Sequence, residues 1–305
     1  MTAWTLAGAT FPARVWTASG CGGTGRELAA YLDLARIGAF VTRTITLDPS
    51  DGTPGRRVVE VPGGLLNAIG TQNPGLDAFL ATELPPLAHQ QVPVVVSITA
   101  DEVGEYAELA RRVGASPGVR GVEVNLSLPA YADDSRLGNR MGNTFQVGKL
   151  IGTVRAEVPR GVPVLAKLGP REDAVALARA CAEGGADAVV LVNAVPALAL
   201  DPTTGQALAG SAGLSGPALR PLALRAVSHV HAELPALPLV GVGGIVSGRD
   251  ARAFLDAGAS AVQVGTACLA DPTAPVRVLD ELDELDELDE LDGPVGGDRP
   301  EGTPT

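Results

Sequence analysis

Eight short runs rich in β-branched residues recur along the chain, most of them separated by segments with helical spacing. This alternation constrains the fold more than any other feature. The runs are residues 14–18 (RVWTA), 39–43 (AFVTR), 93–98 (PVVVSI), 121–127 (GVEVNLS), 163–168 (PVLAKL), 188–193 (AVVLVN), 238–243 (PLVGVG) and 261–266 (AVQVGT). Most are continuously apolar, as expected of strands buried on both faces of a parallel sheet. Apolar residues three and four apart predict helices over 26–37, 102–113, 146–158, 172–184, 217–231 and 249–257. Junctions such as EGGADAVVLV and DAGASAVQVG place glycine between a helix and the next strand, the short αβ connection of a repeating unit. The class is α/β, and the prediction is a (β/α)8 TIM barrel preceded by a β-hairpin over 4–13. An open doubly wound sheet is the alternative and fits less well, because the strand count is eight.

The formal net charge of −12 is unevenly distributed. Residues 278–305 hold 11 acids and one arginine, which leaves 24 acids and 22 bases for the rest of the chain. The body is therefore nearly neutral, with no basic patch to suit nucleic acid. Residues 279–292 read LDELDELDELDELD. Leucines three apart drift around a helix by about 60° per step and form no lasting stripe. The repeat reads as a low-complexity extension of the last helix, or as a docking tail for a partner. The final GPVGGDRPEGTPT has a disordered composition. On this reading residues 1–278 form the barrel and 279–305 an acidic low-complexity C-terminal tail. Three scattered cysteines (Cys21, Cys181, Cys268) suggest a reducing compartment without a disulfide framework or metal knuckle. No apolar run is long enough to span a bilayer, and the first residues lack the pattern of a signal peptide. No metal and no membrane contact are expected, and the localisation expected is cytoplasmic.

Barrel enzymes carry their chemistry at the C-terminal ends of the strands. Those ends are Ser19-Gly20-Cys21 after strand 1, Arg43-Thr44 after strand 2, Asn125-Leu126-Ser127 after strand 4 and Lys167 on strand 5. Asn193 ends strand 6, Gly243-Gly244-Ile245 strand 7 and Gly265-Thr266 strand 8. The last two pairs, with the helix start in GVGGIVSGRD, predict a phosphate cradle of backbone N–H groups; the alternative is that the glycines serve only tight turns. Lys167 ends a core strand, where an ammonium needs an anionic partner. It faces either a ligand or a structural ion pair.

At this point the residues match a family. GGLLNAIGTQNPG (63–75), VEVNLSLP (122–129), VLAKLGP (164–170), ADAVVLVNA (186–194), AGLSGPALRPLALR (212–225), GVGGI (241–245) and AGASAVQVGTA (257–267) resemble, in the same order, the class I dihydroorotate dehydrogenases. The resemblance spans about residues 3–275. It implies an FMN-dependent barrel oxidoreductase (a flavoprotein) of pyrimidine biosynthesis, acting on a small-molecule substrate. The NAIGTQNPG segment is most similar to the subgroup whose catalytic subunit pairs with an iron–sulfur/FAD electron-transfer subunit; a homo-oligomer is expected. Carried over position by position, the resemblance places Ser19, Arg43, Thr44, Ser97, Asn125, Lys167, Val192, Gly216, Gly243, Gly244, Gly265 and Thr266 around FMN. It places Arg43, Asn67, Ala68, Ile69, Gly70, Thr71, Asn125, Asn193 and Ala194 around the substrate.

The departures cluster on the substrate side. The family's Asn-x-Ser-Cys-Pro-Asn reads here Asn125-Leu126-Ser127-Leu128-Pro129-Ala130. Its Cys removes the C5 proton of dihydroorotate while C6 passes a hydride to the flavin, and that position holds Leu128. Arg43 stands for a Lys and Ala194 for a Thr or Ser. Ser127 is a weak candidate to replace the base, and the expected lid over 129–143 offers Tyr131, Asp133, Asp134 and Ser135. The resemblance therefore implies dihydroorotate chemistry that is impaired or altered. The alternatives are a paralogue acting on another small substrate, or a non-catalytic flavoprotein that binds a partner.

Overall fold

A computed structural model describes residues 3–127, 143–201, 203–207 and 212–292. Leu128, Ala130, the expected lid with Tyr131, Asp133, Asp134 and Ser135, and the stretch 293–305 lie outside the described residues. The strands are β1 (Trp4–Leu6), β2 (Ala9–Phe11), β3 (Val15–Thr17), β4 (Phe40–Val41), β5 (Val58–Val61), β6 (Gly64–Asn67) and β7 (Val94–Ile98). They continue with β8 (Val119–Asn125), β9 (Val164–Leu168), β10 (Ala188–Leu191), β11 (Val195–Ala197), β12 (Ala212–Ser215), β13 (Leu239–Val242) and β14 (Ala261–Val264). Eight of them form a parallel sheet in the order β3-β14-β13-β10-β9-β8-β7-β4. Thr17 N–H donates to Ala39 O at 3.0 Å and Gly38 N–H to Val15 O at 2.8 Å, closing the ring between β3 and β4. This is the predicted (β/α)8 barrel, and each of the eight predicted runs overlaps one of its strands, β8 starting two residues before its run.

The pleat of the strands sorts their residues. Val94, Val96 and Ile98 on β7, and Val164, Ala166 and Leu168 on β9, pack outward against the helices. Val95 and Leu165 point inward, in one cluster with Val41, Ala188, Val240 and Ala261. The hairpin β1–β2 plugs the N-terminal end of the barrel with Leu6, Ala9 and Phe11. Its aromatics stack on the barrel's own: Phe11 lies 4.5 Å and Trp4 5.5 Å, centroid to centroid, from Trp16. One pleat step nearer the other mouth, the inward side chains turn polar: Ser97, Glu123, Lys167 and Gln263, all buried.

Three features differ from the expectations. Residues 26–37 are helical only over Arg26–Ala29; Asp33 accepts from Ala35 N–H at 2.9 Å and diverts the backbone into a turn. Residues 76–89 form an unpredicted helical segment in which a wide π turn, Phe79–Glu83, leads into Leu84–His89 with Pro85 and Pro86 in its first turn. A second sheet, antiparallel in the order β11-β12-β6-β5, lies at the C-terminal mouth. Its Val59, Leu66, Ala68 and Ala212 make a small core of their own.

The acidic repeat is built into the barrel. One helix, Ala274–Asp292, runs through position 278 without a break. The expected drift of its leucines is visible: Leu279 and Leu282 are buried, Leu285 is half-buried, and Leu288 and Leu291 are exposed. Its acids meet arginines of the barrel, with Asp280 on Arg36 at 2.5 Å, Asp286 on Arg252 and Arg14, and Asp289 on Arg252 at 2.6 Å.

Candidate active site at the C-terminal mouth of the barrel

The strand ends and the second sheet enclose a cavity of about 750 Å³. Nearly every position singled out by sequence lines it. Ser19, Arg43, Thr44, Asn125, Lys167, Val192, Gly216, Gly243, Gly244, Gly265 and Thr266 do so, as do Asn67, Ile69, Gly70, Thr71, Ser127, Asn193 and Ala194. Two do not. Ala68 points into the small core of the second sheet. Ser97 is wholly buried beneath the floor, where it meets Thr44 Oγ1 at 3.0 Å.

A hydrogen-bonded chain crosses one wall. From the Ser97–Thr44 contact it passes to Asn125, whose Nδ2 donates to Thr44 Oγ1 at 3.2 Å. The Asn125 Oδ1 accepts from the Ser127 hydroxyl at 3.1 Å. That hydroxyl accepts in turn from Asn193 Nδ2 at 2.6 Å, and Asn193 Oδ1 accepts from Ala194 N–H at 2.8 Å. The side chains of β7 and of the strand ends after β4, β8 and β10 are thus fixed against one another. Ser127 sits between two amides, and its hydrogen-bond partners among the described residues include no imidazole or carboxylate.

The opposite wall is made of glycine. Gly216, Gly243 and Gly244 have φ of +103°, +134° and +72°, where an L side chain is strained. At Gly244 a Cβ would also lie 2.8 Å from Gly216 O, and at Gly216 2.7 Å from Gly64 Cα. This wall brings backbone within reach of a ligand. One expected part is absent from it. The helix Gly248–Asp256 has its first N–H groups taken by side chains: Gly248 N–H donates to Glu281 Oε2 at 2.6 Å, Val246 N–H to Asp250 Oδ2 at 3.0 Å and Asp250 N–H to Ser247 Oγ at 3.3 Å. That leaves the Gly243–Gly244 and Gly265–Thr266 loops on the cavity lining as the candidate anion cradle, without those N–H groups.

The cations of the cavity are already paired. Lys167 Nζ donates to Gln263 Oε1 at 3.0 Å and lies 3.4 Å from Glu123 Oε1. Lys167 therefore makes the structural ion pair and still lines the cavity. Arg43 lies 3.7 Å from Glu83, whose carboxyl is pushed up by burial against the pull of Arg43. Arg171, also on the lining, is bidentate to Asp173 at 2.7 and 2.8 Å. Sequence reasoning missed Glu123, Gln263 and Glu83. The first two carried a signal, since each is a polar residue flanked by valines inside a barrel strand (VEV and VQV).

Among the described lining residues there is no carboxylate, histidine or tyrosine. The one titratable group that is not a cation is Cys21, and burial pushes its thiol up to about 11 despite the nearby charge of Lys167. Among the described residues no cluster of His, Cys, Asp and Glu is arranged to hold a metal, and no helix is long and apolar enough to cross a membrane.

Fold and cavity together define a (β/α)8 barrel with its cavity at the C-terminal ends of the strands, where barrel enzymes carry their chemistry. The family model described as dihydroorotate dehydrogenase matches residues 1–285, and the chain belongs to this family of oxidoreductases. It is 44% identical over 279 residues to the dihydroorotate dehydrogenase B (NAD(+)) catalytic subunit of Citrifermentans bemidjiense, covering 88% of this chain and 87% of that protein. Against the catalytic subunit of the same name from Desulforudis audaxviator it is 45% identical over 281 residues, 91% and 90% of the two chains. A third, from Anoxybacillus flavithermus, is 40% identical over 270 residues, 88% and 85%.

Proposed function

We propose that the protein is an FMN-dependent oxidoreductase of the dihydroorotate dehydrogenase type whose substrate half has lost the family's proton acceptor. The observation that carries this is the unequal make-up of the cavity: one half is lined by glycine loops and polar side chains suited to an anion and a flat ring, while the described lining offers no base. The residues present fit FMN. Gly243, Gly244, Gly265 and Thr266 are suited to its phosphate, and Gly216 leaves room for close approach. Ser19, Thr44, Asn125 and Val192 would bound the space for the ring, and Lys167 would offer a cation to the edge that gains negative charge on reduction. Ser97 contributes by holding Thr44. Bound FMN would supply a two-electron acceptor.

The chain's own part is positioning. Asn67, Asn125, Asn193 and Thr71, with the backbone of Ile69 and Gly70, present amides and hydroxyls to a planar polar substrate. Arg43 offers it a cation, and Ala194 leaves an apolar spot. Ser127 holds two amides in place, and its proton is committed to Asn125. Leu128 has no atom that takes a proton. A positioned base contributes about 10²–10⁴-fold. Dihydroorotate is therefore expected to bleach the flavin about 100-fold or more slowly in this protein than in Leu128→Cys. Anaerobic stopped-flow absorbance of both proteins decides it. Rapid bleaching of the unsubstituted protein would overturn the reading. Bleaching of neither would favour a different small substrate, because Ala130, Ala194 and Arg43 also depart from the family pattern. Electrons are proposed to leave through an iron–sulfur/FAD subunit, by the likeness to the NAD(+)-type catalytic subunits; co-expression and co-purification with such a subunit would test it.

A further inference from the structure

Three long polar side chains meet inside the barrel below the cavity floor. Glu123 on β8, Lys167 on β9 and Gln263 on β14 come from strands far apart in sequence, and all three are buried. Gln263 locks the group. Its Nε2 donates to Glu123 Oε2 at 2.8 Å and its Oε1 accepts from Lys167 Nζ at 3.0 Å. A carboxylate only accepts and an ammonium only donates, so the amide has one possible orientation. Glu123 Oε1 makes no hydrogen bond and has the ammonium at 3.4 Å as its charged neighbour. Of the three, Lys167 alone lines the cavity.

We propose that Glu123 is a positioning residue that, with Gln263, fixes the place and the effective charge of the Lys167 ammonium toward the bound cofactor. The proposal rests on the FMN reading above. An ammonium carries three protons; one goes to Gln263 and one faces Glu123, which leaves one for the cavity. A carboxylate at 3.4 Å in a dry interior also offsets much of the field that a bare ammonium would exert. Reduced FMN carries more negative charge than oxidised FMN. Glu123 therefore holds the preference for the reduced form below what Lys167 alone would give. The pair need not be retained for stability, since apolar replacements of buried pairs are often neutral or better. The sequence departures around the substrate leave this network untouched.

The test is Glu123→Gln in the full chain, which keeps the shape and removes the charge. Flavin content, the dissociation constant of oxidised FMN and the midpoint potential by dye equilibration are measured. Oxidised FMN is expected to bind within about threefold of the unsubstituted protein. Reduced FMN is expected to gain about tenfold over oxidised FMN, a positive shift of ~30 mV for a two-electron couple. If that variant does not fold, Glu123→Asp keeps the charge but withdraws it by one methylene, and a smaller shift of the same sign is expected. A folded, flavin-loaded variant with an unchanged potential overturns the role of Glu123. If the unsubstituted protein binds no FMN, the cofactor reading fails first, and that result is seen before any variant is compared.

Discussion

At the scale of single residues, the ionisable groups around the cavity set what it can do to a proton. Among the described residues, arginine and lysine there are paired with carboxylates, and the remaining group, Cys21, has its thiol pushed up to about 11 by burial. The other two cysteines share this condition: burial pushes Cys181 up to about 12 and Cys268 well above its ordinary value. A thiol whose folded value is raised keeps its proton in the folded protein while the unfolded chain loses it. Stability is then fully present below about pH 9 and falls as pH rises from about 9 toward 11. Urea midpoints measured across that range are expected to decline, and Cys181→Ala is expected to flatten the decline; an equal slope in the variant would assign the loss to other groups. The strand-end residues of the site were legible because glycine, asparagine and lysine stand out against apolar runs. Glu83 was not. It reaches Arg43 from a segment whose Pro85-Pro86 hides a helix, and nothing local announces that contact.

At the scale of elements, the eight barrel strands were readable because a strand buried on both faces leaves an unbroken apolar run. The second sheet was not readable, because its strands are three or four residues long and half exposed, and its central pairing, β12 with β6, spans about 150 positions of chain. Short strands of that kind owe their pairing to tertiary context. The C-terminal helix is the element where sequence and structure meet most closely. A three-residue repeat on a period of 3.6 must rotate its leucines out of the core, and burial fades from Leu279 to Leu291 as it does. Identical residues in identical local sequence should then differ sharply in worth. Leu282→Ala removes a fully buried side chain and is expected to cost about 2–5 kcal/mol. Leu288→Ala, at 57% exposure, is expected to cost about 0.5 kcal/mol or less. Chemical denaturation of the two variants checks this, and equal losses would mean that the helix is held by something other than its leucine face.

At the scale of the whole molecule, a closed barrel tolerates no missing stave, because each helix covers strands that would otherwise expose apolar faces to water. The helix Ala274–Asp292 packs on β3 and on the helix Gly248–Asp256, next to the seam where the ring closes. Its Glu281 also caps Gly248 N–H and pairs with Arg277. Individual surface ion pairs contribute little, but Leu279 and Leu282 belong to the main core together with Val276 and Val278. The negative charge that set this stretch apart by composition thus lies on the outside of a structural helix, facing Arg14, Arg36 and Arg252. The unit that folds is therefore proposed to extend past 278, through the buried part of the repeat. A chain ending at 278 would lose two buried leucines and the cap on Gly248, and is expected to be insoluble or to unfold without a cooperative transition. A chain ending at 292 is expected to unfold at the same midpoint as the full chain and to keep its flavin. Thermal unfolding followed by circular dichroism, with flavin fluorescence as a second probe, separates these outcomes. A cooperative, flavin-binding protein ending at 278 would return the repeat to the role of an appended tail.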